Sequence, residues 1–356
     1  MTVLLIIFAV VCLWKIQLRP ADNSNYITDY MSIEKTTAIK GIFIIIVFFS
    51  HFNTYVDFTS AGDIAYLEHY KMIGQRMVTL FMFYSGYGVM EAIKKKKMAY
   101  VRKMPVNRIL ATFFRYDVAV LLFLIMHLIL GTDLSKKRIL LAFTSWGAIG
   151  NSNWYIFAIL VCYVLTFISF AIFRDKGKFI PGAVCLLVLL SVYVAVFHIK
   201  ELQATRYYNT VLCYAIGVFF SLFKEKFDKL FGGNNTLWAV TLFASIIITQ
   251  VTYSTKARFA VYEISMFSFT LAVVLFTMHI SLNNKVLNWF GEHLFSVYML
   301  QRIPMIVFQK LGLGEYNIYL YFVVCLIVTV ILAYVFDKLV NPLWSMIANP
   351  KKKKIA

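Results

Sequence analysis

Long apolar runs separated by short polar segments make up most of this chain. A helix needs about 20 apolar residues to cross about 30 Å of hydrocarbon, and most runs have that length. We therefore expect an all-α, polytopic membrane bundle with about ten core spans and one extra span at its amino-terminal end. The eleven predicted spans are residues 2–18, 39–52, 74–93, 109–131, 153–173, 179–198, 207–223, 235–253, 259–281, 288–308 and 316–336.

Two apolar segments need separate interpretation. The run 139–150 is too short to cross and contains Gly147 and Gly150, so we expect a re-entrant or interfacial piece. The first run, 2–18, lacks a basic stretch before it and a small-residue cleavage site after it. We therefore expect a retained span there rather than a signal peptide.

Composition strengthens the membrane interpretation and excludes a soluble enzyme. Hydrophobic residues make up 61% of the chain and charged residues 15%, with a mean hydropathy of +0.74. Ordinary soluble domains have about 45–50% apolar and about 25% charged residues. The five cysteines lie inside apolar runs without metal-binding or disulfide spacing, so no metal site is expected.

The net charge of +18 comes from 35 Lys and Arg against 17 Asp and Glu. One set of alternate loops holds 22 of these basic residues and the other set holds 10. Because cytoplasmic loops are enriched in Lys and Arg, we expect an outside amino terminus and a cytoplasmic carboxyl terminus. No basic stripe alternates with aromatic residues, so nucleic-acid binding is not expected. The expected organisation is an extra span with a linker at 1–38, a membrane domain at 39–345 and a basic tail at 346–356.

Ionisable residues inside predicted spans are the best candidates for function, because each is costly in hydrocarbon. Lys40 and His51 lie on one span, about 16 Å apart along the helix axis. Lys40 is either a snorkelling anchor or part of a cationic site. His51 is either an interfacial residue or a general base that takes a proton from a hydroxyl.

The Lys40-x10-His51 spacing resembles the Arg/Lys-x10-His signature of the acyltransferase-3 family of membrane O-acyltransferases. Four further segments resemble that family's motifs in the same order, so that the resemblance extends from about Ile33 to Trp344. They are Leu80 to Tyr87, the basic segment Arg102 to Arg115, Asn153-Trp154-Tyr155-Ile156, and Gly291 with Ser296 to Leu300 and Pro304.

The chain also departs from the family pattern. Thr79 stands where many members carry Asp, and Gln301-Arg302 replaces the His usual before the late Pro. The span 2–18 is additional to the ten-helix core. We expect no extracytoplasmic hydrolase-like domain after the core, so a second acyl transfer is expected to need another protein.

The resemblance implies transfer of an acyl group, usually acetyl, from cytoplasmic acyl-CoA to a hydroxyl of a cell-envelope polysaccharide or glycolipid in the bacterial plasma membrane. Acyl-CoA is then a donor substrate and no permanently bound cofactor is expected. The partners are acyl-CoA, the glycan acceptor and membrane lipids. The residues expected to hold the phosphate-rich donor are Lys40, Arg102, Lys103, Arg108 and Arg115.

Arg302 and Glu263 complete the expected catalytic set with His51. Arg302 either holds a donor phosphate or thioester oxygen, or pairs with Glu263. Glu263 is either that counter-ion or the group that orients His51. Asn153, Trp154 and Tyr155 either contact the sugar or belong to the aromatic belt of the membrane interface.

Two other classes of protein stay open at this stage. A transporter or flippase for a glycan or charged solute also carries buried ionisable residues, although the chain shows no duplicated halves. A glycan polymerase or ligase would depend on a lipid-linked sugar and ignore acyl-CoA. Consumption of acyl-CoA by the purified protein without a gradient separates the acyltransferase from both.

Overall fold

The computed structural model describes residues 1–19, 26–70, 73–173, 179–254, 259–282 and 284–348. The described chain is helical, as predicted, apart from turns and one strand pair. Most of the expected basic tail, residues 349–356, lies outside the described residues, as do several basic residues used in the charge count, among them Arg174, Lys176, Lys178 and Lys256.

The helices follow one another with short connections. A π-helical turn, Pro105–Leu110, joins α5 to α6, and a 3-10 turn, Thr205–Tyr207, precedes α10. The α-helices are α1 Thr2–Leu13, α2 Ile33–Phe52, α3 Ala61–Tyr70, α4 Ile73–Lys96, α5 Met98–Met104, α6 Ala111–Ile129, α7 Lys136–Phe143, α8 Trp154–Ile172, α9 Phe179–Ile199, α10 Leu212–Gly232, α11 Asn235–Ser254, α12 Phe259–Thr277, α13 Lys285–Glu292, α14 Leu294–Leu300, α15 Arg302–Lys310, α16 Leu313–Tyr316 and α17 Ile318–Ala348.

Six helical stretches in the described residues are long and apolar enough to cross a membrane. They are Met98–Ile129, Trp154–Ile172, Phe179–Ile199, Asn235–Tyr253, Phe259–Thr277 and Ile318–Ala348. Helix α1 is apolar but shorter. A polytopic membrane bundle is therefore confirmed, while the count of ten core spans plus one stays a prediction.

Several predicted spans have different boundaries in the structure, and three of them show how. The span 2–18 is wrong beyond Leu13, because Ile16–Leu18 form strand β1, which pairs antiparallel with strand β2, Ile280–Leu282. The continuous helix 288–308 is wrong as well, since it is divided into α13, α14 and α15 at His293 and Gln301. The span predicted to begin at residue 109 continues a helix that starts at Met98.

The bundle has two distinguishable ends. We call one end the Met1 side, because the Met1 amino group binds the Asp63 carboxylate there at 2.5 Å. The end of α2 and the start of α4 lie at this same end, where Gly74 packs against Ser50. The other end, called here the Lys94 side, contains the Lys-rich end of α4 and the start of α6.

Helices α4 and α10 form one of the closest contacts of the bundle. A Cβ atom on Gly86 would lie 2.0 Å from the Tyr214 carbonyl oxygen, and one on Gly217 would lie 2.0 Å from the Phe83 carbonyl oxygen. Glycine at both positions lets the two backbones approach, as small residues do in many membrane helix pairs. This contact fixes α4, which carries residues of the site described next.

Candidate active site

His51 lies in the last turn of α2 and borders a cavity of about 150 Å³ at the Met1 side. Ser50 of α2, Gln75 of α4, Trp154 of α8 and Arg206 of the turn before α10 also line this cavity. Four separate segments therefore bring a base, a cation, an amide and an aromatic face to one concave surface.

The His51 imidazole is available for proton transfer. Its Nδ1 atom is buried and has no hydrogen-bond partner among the described residues. The ring lies 6.0 Å from the Tyr298 ring, and the nearby Arg302 guanidinium acts on it electrostatically. An imidazole that borders a polar cavity, with no protein group holding its proton, can serve as a general base.

Arg302 begins α15, next to the break at Gln301. Its Nε atom donates to the Tyr55 hydroxyl at 2.7 Å, and its guanidinium carbon lies 5.4 Å from the centre of the Tyr55 ring. The Gln301 side chain donates to the Tyr298 carbonyl at 3.2 Å, which partly satisfies the backbone where the helix is interrupted. Tyr55 therefore orients Arg302 beside His51.

Glu263 does not form the contacts considered for it. The side chain is buried in α12, and neither carboxylate oxygen has a hydrogen-bond partner among the described residues. The ion pair with Arg302 is thus absent between these two described residues. Its charge acts on Cys213 of α10 and on Tyr262, and Glu263 forms no hydrogen bond with the described His51 side chain.

Asn153, Trp154 and Tyr155 occupy three different environments. Trp154 lines the His51 cavity, and Tyr155 is buried with its ring 5.3 Å from that of Tyr298. Asn153 donates to the Ser145 carbonyl at 2.8 Å and to the Tyr207 hydroxyl at 2.6 Å. Trp154 and Tyr155 therefore lie at the site, whereas Asn153 uses its amide to hold the loop that precedes α8.

The short apolar run 139–150 builds that loop. It forms most of helix α7 and a partly buried, irregular segment in which Gly150 has a φ of +103°. His127 bonds the Ile149 carbonyl at 2.7 Å, and Asn151 donates to the Tyr116 hydroxyl at 2.9 Å. Irregular backbone is tolerated within a membrane bundle only where protein or water satisfies it, and here protein groups do so.

A row of tyrosine and serine side chains leads from His51 towards the Lys94 side. The Tyr298 ring lies 6.0 Å from the His51 ring and 5.3 Å from the Tyr155 ring, and the half-buried Ser85 lies near Tyr155 and Tyr163. Tyr163 in turn lies near the Arg108 guanidinium. Polar groups therefore connect the His51 cavity with a cationic region in the other half of the bundle.

Three of the five predicted donor residues are partly buried, and two of them, Arg108 and Arg115, form the cationic region. Arg108 donates from Nε to the Tyr100 hydroxyl at 2.9 Å, and the charge of Arg115 interacts with those of Arg108 and Asp337. The Lys40 ammonium lies 5.7 Å from the centre of the Tyr84 ring. The Arg115 Nε atom is buried without a hydrogen-bond partner among the described residues.

The other two predicted donor residues, Arg102 and Lys103, lie at the exposed end of α5. The structure therefore separates the five cations into two groups. Lys40, Arg108 and Arg115 are partly buried inside the bundle, whereas Arg102 and Lys103 face outward at the Lys94 side.

Several functional candidates escaped the sequence interpretation. Gln75, Arg206 and Tyr55 join the site through contacts between distant segments, and none belongs to a local motif that marks it. Tyr298 lies within the Ser296 to Leu300 segment but was not singled out as a site residue. A cluster near Arg115 was also missed. Asp337 accepts from the Ser296 hydroxyl at 2.6 Å and is bonded by His293 Nδ1 at 2.6 Å.

The comparison with protein families decides which chemistry this arrangement serves. The acyltransferase-3 family, described as an acyltransferase domain, matches residues 35–338. The chain belongs to the acyltransferase-3 family. Comparisons with curated proteins and with solved structures give no match. Since most of the chain lies within the matched range, this acyltransferase uses the bundle itself as its acyltransferase domain, and the resemblance seen in the motifs is confirmed.

Proposed function

We propose that this acyltransferase moves an acyl group from acyl-CoA to a hydroxyl of a cell-envelope polysaccharide or glycolipid. The observation that carries the proposal is the His51 cavity, from which a row of tyrosine and serine side chains leads to a partly buried cationic region. A phosphate-rich donor needs cations, and a sugar hydroxyl needs a base. The two ends of this row supply one each.

The donor enters from the Lys94 side in this proposal. Lys40, Arg108 and Arg115 bind its phosphate groups, and guanidinium groups suit phosphate because they donate in a planar, forked geometry. The pantetheine arm is long, narrow and polar along its length. It lies along Tyr163, Ser85 and the neighbouring hydroxyls, which brings the thioester carbonyl to His51.

The acceptor enters from the Met1 side and fills the His51 cavity. The Trp154 ring offers an apolar face for a sugar ring, and Gln75 and Arg206 offer hydrogen-bond donors. This arrangement places one sugar hydroxyl against the imidazole. Asn153 has a positioning role here, because its amide holds the loop before Trp154.

The reaction is a single acyl transfer. His51 takes the proton of the acceptor hydroxyl as its oxygen attacks the thioester carbonyl, and Arg302 stabilises the negative charge that develops on the carbonyl oxygen. The carbon–sulfur bond then breaks, an ester forms, and the imidazolium returns its proton to the thiolate of CoA. Glu263 takes no step, because its carboxylate lies near Cys213 instead.

The proposed setting follows from charge and from the family. We place the Lys94 side in the cytoplasm and the Met1 side outside a bacterial plasma membrane. The reason is that Lys and Arg are enriched in the loops of the Lys94 side, as they are in cytoplasmic loops generally. Acetyl is the acyl group that the family resemblance implies, with acetyl-CoA as donor and no resident cofactor.

Replacement of His51 tests the proposal. We expect His51→Ala to lower acyl transfer at least about 100-fold, because general base catalysis contributes about 10²–10⁴ in rate. Binding of acyl-CoA, measured by calorimetry on detergent-purified protein, should change little. The rate is measured as free CoA thiol released in the presence of an acceptor glycan.

His198→Gln is the matched control for this experiment. His198 lies at the end of α9, where its Nδ1 atom pairs with the Tyr208 hydroxyl at 3.1 Å and the residue does not line the cavity. Its replacement should leave the transfer rate within about twofold. Full activity of His51→Ala in folded protein would remove His51 from the mechanism.

A further inference from the structure

Arg76 is a buried cation with incomplete pairing in the second turn of α4. Its residue surface is 8% exposed, and its guanidinium carbon lies 3.4 Å from the centre of the Tyr253 ring. Its Nε and Nη2 atoms have no hydrogen-bond partner among the described residues. A buried guanidinium is costly unless an anion or acceptor meets its donors, so this position favours an anionic ligand.

An apolar groove of about 260 Å³ starts at Arg76 and runs between α11 and α12. Leu242 and Ile246 line it from α11, and Val273 and Phe276 line it from α12. From Gln250, beside Arg76, to Leu242 the groove follows α11 for about 12 Å. It therefore has one cationic end and a long hydrocarbon wall.

Arg76 and the apolar groove lie at the depths at which a bilayer has its phosphates and its hydrocarbon chains. Arg76 lies three residues from the start of α4, or about 5 Å along the helix, at the Met1 side. Lipid phosphates occupy this outer layer, while the hydrocarbon core lies further in. The groove runs inward from Arg76, so it fits a ligand with a phosphate at the surface and a hydrocarbon chain below it.

The groove and the His51 cavity lie on either side of the first turn of α4. Gln75 lines the cavity and donates to the Asn209 side chain at 3.0 Å, and Arg76 is the next residue of the helix. A glycan joined to a lipid through phosphate could place its phosphate at Arg76 and its sugar in the cavity. A membrane phospholipid has no glycan to occupy that cavity.

We propose that Arg76 and the α11–α12 groove bind the phosphate and the hydrocarbon chain of a lipid-linked glycan, and that this lipid is the acceptor. The assignment of the lipid as acceptor rests on the proposed acyl transfer, whereas the binding site does not. It narrows the acceptor class to glycans carried on a lipid phosphate.

Binding is tested first, on the full-length protein in detergent. A long-chain isoprenyl phosphate that carries a sugar on its phosphate is titrated while the thermal unfolding midpoint is recorded, since a ligand of the folded state raises that midpoint. The corresponding isoprenyl alcohol, inorganic phosphate and phosphatidylglycerol serve as separate arms. We expect stabilisation by the isoprenyl phosphate at concentrations at least about tenfold lower than those needed for any other arm.

Variants of the cation identify the site. Arg76→Gln should weaken isoprenyl phosphate binding about tenfold or more, because a charge-assisted contact is lost. Arg76→Lys should retain most of it. Lys137→Gln is the matched control, since it removes one exposed positive charge of the same side of the bundle.

A variant of the groove tests the hydrocarbon part independently. Val273→Trp should fill the groove and weaken binding, whereas Val240→Trp, on the exposed face of α11 outside the groove, should not. Size-exclusion profiles confirm that each variant is folded. Unchanged binding by both Arg76→Gln and Val273→Trp would overturn the proposal.

The outcomes separate this proposal from acyl transfer itself. Equal, Arg76-dependent binding of phosphatidylglycerol and isoprenyl phosphate would mean a general phospholipid site and would contradict the acceptor assignment. Arg76-dependent isoprenyl phosphate binding without any consumption of acyl-CoA would leave the lipid site standing and refute the acyltransferase mechanism. With both intact, Arg76→Gln should raise the KM for a lipid-linked acceptor and leave kcat within about twofold.

Discussion

Arg108 and Arg102 lie on the same continuous helix, yet their surroundings differ. Arg108 is partly buried and donates to the Tyr100 hydroxyl, whereas Arg102 is exposed at the end of α5. A guanidinium that a neighbour holds in place binds phosphate at a defined position. An exposed one contributes a screened charge that is worth little.

Replacing each arginine should therefore give different kinetics. We expect Arg108→Ala to raise the KM for acyl-CoA about tenfold with kcat little changed, because it removes a phosphate contact distant from the reacting atoms. Arg102→Ala should change the KM less than about twofold. Initial rates at saturating acceptor, with acyl-CoA varied, provide the measurement, and equal effects of the two variants would contradict the assignment.

Local spacing predicted some site residues. Others could not be predicted, because they reach the site through contacts between distant positions of the chain. Helical geometry alone places Lys40 and His51 on one span about 16 Å apart. The partner of Arg302 could not be found that way, because Tyr55 lies 247 positions earlier in the chain. Glu263 was expected near Arg302 or His51 because both possibilities suit a buried acid, and its actual neighbours depend on how α12 packs.

At the scale of helices, the contact between α4 and α10 offers a sharp test of packing. A Cβ atom on Gly86 would lie 2.0 Å from a backbone carbonyl of α10, which cannot move aside without shifting the helix. Gly88 lies one half turn away, and a Cβ atom there would meet nothing within 4 Å. The two glycines therefore lie on the same helix but differ in the free space that a side chain would have.

Alanine at these two positions should have opposite effects on stability. Gly86→Ala should cost about 2 kcal/mol or more, because it forces two closely packed helices apart. Gly88→Ala should be neutral or stabilising by up to about 1 kcal/mol, since alanine favours a helix more than glycine. Thermal unfolding in detergent measures both, and a stable Gly86→Ala variant would show that the helices are less closely packed.

The apolar runs predicted helices well and their ends less well. Hydrophobicity identifies a segment that prefers the membrane, but it does not report where a helix stops. Helix α1 ends early because Ile16–Leu18 pair with Ile280–Leu282, a contact with a segment far along the chain. The interruption at Gln301 was missed because the apolar stretches before and after it, Val297 to Leu300 and Met305 to Phe308, together suit one continuous helix.

At the scale of the whole molecule, the proposed mechanism needs one end of the bundle to receive the donor and the other end to receive the acceptor. The donor region and the His51 cavity lie in opposite halves of the bundle, and a row of tyrosine and serine side chains lies between them. A donor made in the cytoplasm and an acceptor in the cell envelope can then meet inside the membrane without either one crossing it. This role requires the Lys94 side to face the cytoplasm, which the charge asymmetry of the sequence also predicts.

Cysteine labelling in intact cells tests that orientation. Asp57 is exposed at the Met1 side, and Lys95 is exposed at the opposite side. We expect Asp57→Cys to react with a membrane-impermeant maleimide added outside the cells, and Lys95→Cys to react only after the membrane is permeabilised. The parent chain, whose cysteines all lie in apolar segments, gives the background. The reverse pattern would place the donor region outside, where cytoplasmic acyl-CoA cannot reach it, and would exclude the mechanism proposed for His51.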